Sequence, residues 1–133
     1  MYKKEEKLSL LSEMLNFAKI DGVLRSIEYE FIVAVARQLE ITKDEVDRIS
    51  NTNVKSTALP LESQRILQFH RLTLLMNIDG NASEDEINRI KQIGLKMGLR
   101  PEAMDTVLSE MHKYPNQIIP PDELVAIFTK FYN

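Results

Sequence analysis

The chain has 133 residues, with 17 basic and 20 acidic side chains, a formal net charge of −3, 28% charged residues and 44% hydrophobic ones. This is the composition of about one globular domain, which excludes a disordered or collagen-like chain; the slight acidity argues against a nucleic-acid partner, because phosphate binding needs a basic excess on some face. The absence of Cys excludes a disulfide framework, a thiolate nucleophile and a Cys-ligated metal centre.

Helical periodicity dominates. A first helix is expected over 4–19, where Leu8, Leu11, Leu15 and Ala18 share a face, and a second over 26–40, with Ile27, Phe31 and Ala34 or Val35 in the same phase. A third, over 42–51, opens on Thr42 with Glu45 three residues on, a capping box. The polar stretch 51–57 is the longest loop and divides the chain near its middle. Helices over 60–78, 83–97, 101–113 and 121–131 follow, with Pro60, Pro101 and Pro121 as first-turn residues and Ser83 with Glu86 as a second capping box. Gly22, Gly80 and Gly98 punctuate the turns, and 114–117 is a loop. The last helix presents Leu124, Val125 and Phe128. No segment alternates with a period of two, so the fold class is all-α with about seven helices. No apolar run, those at 33–36 and 74–76 included, approaches the roughly 20 residues that cross a bilayer, and residues 1–7 carry no secretory apolar core. A cytoplasmic protein without an integral membrane segment is expected.

The sequence repeats itself. Ile20-Asp21-Gly22 recurs 58 residues later as Ile78-Asp79-Gly80. At the same offset Glu28 meets Glu86, Ile32 meets Ile90, Val35 meets Ile93, Leu39 meets Met97, Ile41 meets Leu99 and Val46 meets Met104. Two copies suggest one duplicated domain spanning 1–133, with its repeats at 8–51 and 66–112, rather than a solenoid. The expected arrangement is two three-helix halves related by a pseudo-twofold axis, plus a C-terminal helix.

The paired Asp-Gly turns, each followed by x5-Glu and flanked by apolar helices, resemble the TerB-like family. These are small helical domains of tellurite-resistance proteins, also found on the N-terminal side of the membrane-anchored co-chaperone DjlA. Phe17-Ala18-Lys19-Ile20-Asp21-Gly22 is similar to that family's A-x-A-D-G entry, with Lys-Ile replacing the small residue before Asp. Leu39-Glu40-Ile41-Thr42 resembles its helix exit, and Met97-Gly98-Leu99 matches that exit better. The resemblance covers roughly residues 8–112. It implies an all-α fold of about seven helices and a link to stress response or metal-related resistance, but no defined activity.

Candidate chemistry is sparse. The loop 75–86 partly overlays an EF-hand, placing Asn77, Asp79, Gly80 and Glu86 at positions 3, 5, 6 and 12. Position 1, however, is Leu75, and the first copy puts Phe17 at position 1 and Lys19 at position 3. A calcium ion needs six to eight oxygens. Asp79, Glu86, Asp21 and Glu28 are thus the candidate metal ligands, with turn stabilisation the favoured role for all four. Glu86 closes the Ser83 capping box. Glu28 has Arg25 at the equivalent position and is expected to bond back to its Asp-Gly turn. His70 and His112 lack a second His or a carboxylate three or four residues away, and the six Met residues fit core packing. Glu40, Asp44, Glu45 and Asp47 read as a solvated helix face. No nucleophile–base set, P-loop or dinucleotide fingerprint is present. The expectation is therefore a non-enzymatic, TerB-like interaction or stress-response module with a protein partner and no cofactor; the alternative is a divalent-cation sensor working through the Asp79-to-Glu86 loop.

Overall fold

The computed structural model describes residues 1–20, 22–78, 80 and 82–131. Among these, the regular structure is seven α-helices and two short 3-10 turns, with no strand. The contacts separate into two compact units, residues 1–59 and 60–133, and each unit contains one copy of the repeat. No helix among the described residues is long and apolar enough to cross a membrane.

The first unit holds α1 (Lys4–Ala18), α2 (Ser26–Gln38) and α3 (Lys43–Ser50), packed pairwise. Its core is Leu11, Met14, Leu15, Ile32, Ala36 and Val46, all at most 1% exposed. The buried stripe of α2 is Ile32, Val33, Val35 and Ala36 with Glu28 at its head. Ile27, expected on that stripe, is 48% exposed. It lies next to Glu28 in the first turn, about 100° around the helix, and the buried Glu28 takes the inward position.

The second unit holds α4 (Glu62–Met76), α5 (Glu84–Lys96), α6 (Pro101–Glu110) and α7 (Pro121–Lys130). Here α4 packs on α5, α5 on α6, and α7 on both α4 and α6. Leu124 and Phe128 of α7 are fully buried, and Phe128 meets Phe69 of α4 edge to face with ring centroids 6.2 Å apart, a pairing worth about 0.5–1.5 kcal/mol beyond the area it buries. Pro101 and Pro121 open their helices as expected, whereas Pro60 stands two residues ahead of Glu62, outside the helix. The chain after α6 tightens into 3-10 turns at Met111–Lys113, where the helix was expected to continue, and at Pro115–Gln117, where a loop was expected.

One device starts four of the helices. A Glu or Gln at the third helical position accepts the backbone N–H of the residue just before the helix: Glu6 from Lys3 (2.8 Å), Glu28 from Arg25 (3.1 Å), Gln64 from Leu61 (3.1 Å) and Glu86 from Ser83 (2.9 Å). Each satisfies a backbone donor that the helix leaves without a partner. The four fall into two pairs 58 residues apart, 6 with 64 and 28 with 86. The repeat therefore reaches back to the first turns of α1 and α4, ahead of residues 8 and 66.

Helix packing follows the same register. Ala36 of α2 corresponds to Gly94 of α5, and Val46 of α3 to Met104 of α6. A Cβ on Gly94 would collide with the Met104 sulfur and lie 3.3 Å from Cδ1 of Phe69. The larger Met104 fits because its neighbour has lost a methyl group. The same space is divided differently in the two units.

Candidate functional site

Both inter-helix turns form by the same hydrogen bonds. After α1, Ile20 N–H reaches Phe17 O (3.2 Å) and Gly22 N–H reaches Lys19 O (2.7 Å); after α4, Ile78 N–H reaches Leu75 O (3.4 Å) and Gly80 N–H reaches Asn77 O (3.0 Å). Gly22 and Gly80 have φ of 90° and 79°, the left-handed conformation that glycine adopts without steric cost. The residue that ends the first helix of each repeat then reaches toward the end of its third. Lys19 Nζ donates to the carbonyl (2.9 Å) and hydroxyl (2.8 Å) of Ser50, and Asn77 Nδ2 contacts the sulfur of Met111 at 3.4 Å. Lys19 thus neutralises the C-terminal end of α3.

Of the four candidate ligands, Asp21 and Asp79 lie outside the described residues. Glu28 is 4% exposed, with its Oε1 on the Arg25 N–H and 4.0 Å from the Arg25 guanidinium. Glu28 thus bonds at the helix start, where an acceptor at the third position needs no hydroxyl before the helix; the Asp21 side of the expected bond to the Asp-Gly turn lies outside the described residues. Glu86 pairs with Ser83 in both directions, accepting its N–H while Ser83 Oγ accepts the Glu86 N–H at 3.1 Å. Gln64, a neutral amide, does at α4 what Glu86 does at α5. Negative charge is thus not what this position requires. Among the described residues, no three His, Asp or Glu side chains gather in an arrangement fit for a metal ion.

A shallow open groove of about 510 Å³ borders the second turn, with Met76, Ile87 and Leu108 as its apolar lining. Lys91 of α5 and Asp105 of α6 line it and bond to each other at 2.8 Å. His112 and Ser109 also line it, but the Ser109 hydroxyl donates to Thr106 O at 3.1 Å, so it is not held as a nucleophile by the imidazole. His70, the other histidine, has both ring nitrogens engaged inside the protein, at Thr73 and Ile119.

The surfaces of the two turns differ in kind. Around the first, Ile20, Val23 and Ile27 are 42%, 55% and 48% exposed. At the equivalent positions of the second repeat stand Ile78, half-buried, then Asn81 and the exposed Asp85. Three bulky apolar side chains are thus exposed within eight residues of sequence, where isolated exposure would be ordinary. Periodicity placed Ile27 in the core, so this feature could not be read from the apolar pattern; comparing the two copies position by position exposes it.

Compared with family models, curated proteins and solved structures, the chain matches none.

Proposed function

We propose that the chain is a non-enzymatic helical interaction module of TerB-like character, cytoplasmic and acting in stress response, that binds a protein partner through the turn of its first repeat. The observation that carries this reading is the exposure of Ile20, Val23 and Ile27 on a turn whose hydrogen bonds recur in the second unit, where Asn81 and Asp85 stand in place of Val23 and Ile27. A shared backbone with divergent surfaces is what duplication leaves when one copy retains a contact surface. Support also comes from the carboxylates: Glu28 and Glu86 are committed to helix starts, which favours a structural role over a cation sensor.

The test is capture from the native host with the immobilised protein and with a triple variant, Ile20→Ser/Val23→Ser/Ile27→Ser. Side chains this exposed contribute little to folding, so the variant should melt with the wild type. The expected result is a protein retained at stoichiometric amounts by the wild type and lost from the variant. Equal retention by both would place the contact elsewhere and overturn the proposal.

A further inference from the structure

His70 lies in α4, 6% exposed, facing the chain that leads into α7. Its hydrogen bonds fix its tautomer. The Thr73 hydroxyl donates to the His70 carbonyl at 2.7 Å, so toward the ring Thr73 Oγ1 is an acceptor, and it stands 3.3 Å from Nδ1. The ring hydrogen therefore sits on Nδ1, and the lone pair of Nε2 accepts the backbone N–H of Ile119 at 3.1 Å. A proton added to this ring can go only to Nε2, where it would confront another donor. Protonation and the bond to Ile119 exclude one another.

The segment held by this bond is under load. Asn116 and Gln117 sit at φ of 56° and 62°, a left-handed conformation that asparagine tolerates and that is uncommon for glutamine. The side-chain oxygen of Gln117 is buried and has no hydrogen-bond partner among the described residues. Next to it, Ile119 is 1% exposed while Ile118 is 49% exposed. Of the charged groups, Arg71 on the same helix acts on the ring and opposes a second positive charge; Asp122 and Glu123 on the neighbouring α7 are exposed to solvent.

We propose that His70 is a proton-operated latch: its neutral ring holds residues 114–120 down, and protonation of Nε2 releases them. Burial, reinforced by Arg71, lowers the His70 pKa from 6.5 to about 4, which keeps the latch shut at neutral pH. In the released state the ring regains its ordinary affinity for protons. Opening is then linked to proton uptake, and its equilibrium constant rises about tenfold for each pH unit between 6.5 and 4. The latch is independent of the apolar surface on the first turn.

Amide hydrogen exchange of the full chain by NMR, between pH 7 and 4.5, tests this. The protection of the Ile119 amide should fall about tenfold per pH unit below 6.5, while that of Leu11 in α1 stays unchanged. In His70→Gln, whose side-chain oxygen accepts without titrating, the protection of Ile119 should be flat. A flat profile in the wild type, the same slope in His70→Gln, or a loss shared with Leu11 would overturn the latch. Should the Gln variant not fold, the imidazole nitrogen shifts of the wild type decide. An Nδ1–H tautomer titrating well below 6.5 supports the proposal, and a His70 ring titrating near 6.5 contradicts it.

Discussion

Glu40 and Gly98 occupy the same left-handed position, one in each repeat, at φ of 61° and 81°. The hydrogen bonds around them match. Glu40 N–H reaches Arg37 O and Ile41 N–H reaches Ala36 O, at 3.0 and 2.8 Å; Gly98 N–H reaches Leu95 O and Leu99 N–H reaches Gly94 O, both at 3.0 Å. This is the Schellman ending of a helix, and the buried Ile41 and Leu99 supply its apolar contact. The second repeat uses the residue suited to the turn, and the first does not. Glu40 is exposed, so little is lost by removing its side chain. Glu40→Gly should stabilise the protein by about 0.5–1 kcal/mol in urea unfolding. A loss of stability would show that the Glu40 side chain matters in a way the turn does not reveal.

The volume exchange between Ala36/Val46 and Gly94/Met104 gives a two-residue test. Gly94→Ala forces a methyl group onto the Met104 sulfur and Phe69, at a cost of about 1–3 kcal/mol. Adding Met104→Val recreates the pairing of the first unit and should recover at least half of that loss. A double-mutant cycle measures the coupling, and strictly additive effects would mean that the two sites do not share the space.

Gly80 tests the backbone of the second turn. A Cβ there has open space around it, so any penalty arises from φ alone. Gly80→Val should lower the melting temperature clearly, with a loss of about 1–2 kcal/mol, and Gly80→Asn should lose less because Asn tolerates left-handed backbone. Equal effects of the two would remove backbone strain as the cause.

The pH dependence of the stability of residues 60–133 follows from His70. Its folded pKa is lowered to about 4 from 6.5 by burial and then by Arg71, so between those values the unfolded chain binds the extra proton. The stability contributed by the neutral ring is complete above pH 6.5 and is lost as pH falls toward 4, on the order of 2 kcal/mol after allowing for residual solvation. Urea unfolding followed by NMR from pH 7 to 4.5 should show this decline for residues 60–133 and not for residues 1–59, and His70→Gln should flatten it.

The seven helices were legible because their apolar residues recur at helical spacing and because Thr42, Ser83, Pro101 and Pro121 mark where helices begin. The left-handed turns at Gly22 and Gly80 were legible from residue type. Pro60 misled because proline fits the residues ahead of a helix as well as its first turn. The inward turn of Glu28 at the expense of Ile27 was not legible, since it depends on a buried carboxylate finding the Arg25 N–H. The partner of His70 lies 49 residues away in sequence, beyond the reach of any local spacing argument. The apolar surface at the first turn was hidden because Ile27 fits the helical phase yet faces water.

Whether the carboxylates after the two turns serve the helices or a cation decides between module and sensor. The most direct measurement is the melting temperature of the wild type, Glu86→Gln and Glu86→Ala, each with EDTA and with millimolar Ca²⁺ or Mg²⁺. If Glu86 is a helix-start acceptor, no protein shifts with added metal, Glu86→Gln stays within about 0.5 kcal/mol of the wild type because Gln64 performs the same task at α4, and Glu86→Ala loses about 1 kcal/mol. A cation site would instead raise the wild-type melting temperature by several degrees through ligand linkage, reversibly with EDTA, and Glu86→Gln would abolish that rise; this second pattern would contradict the structural role and replace the interaction module with a sensor.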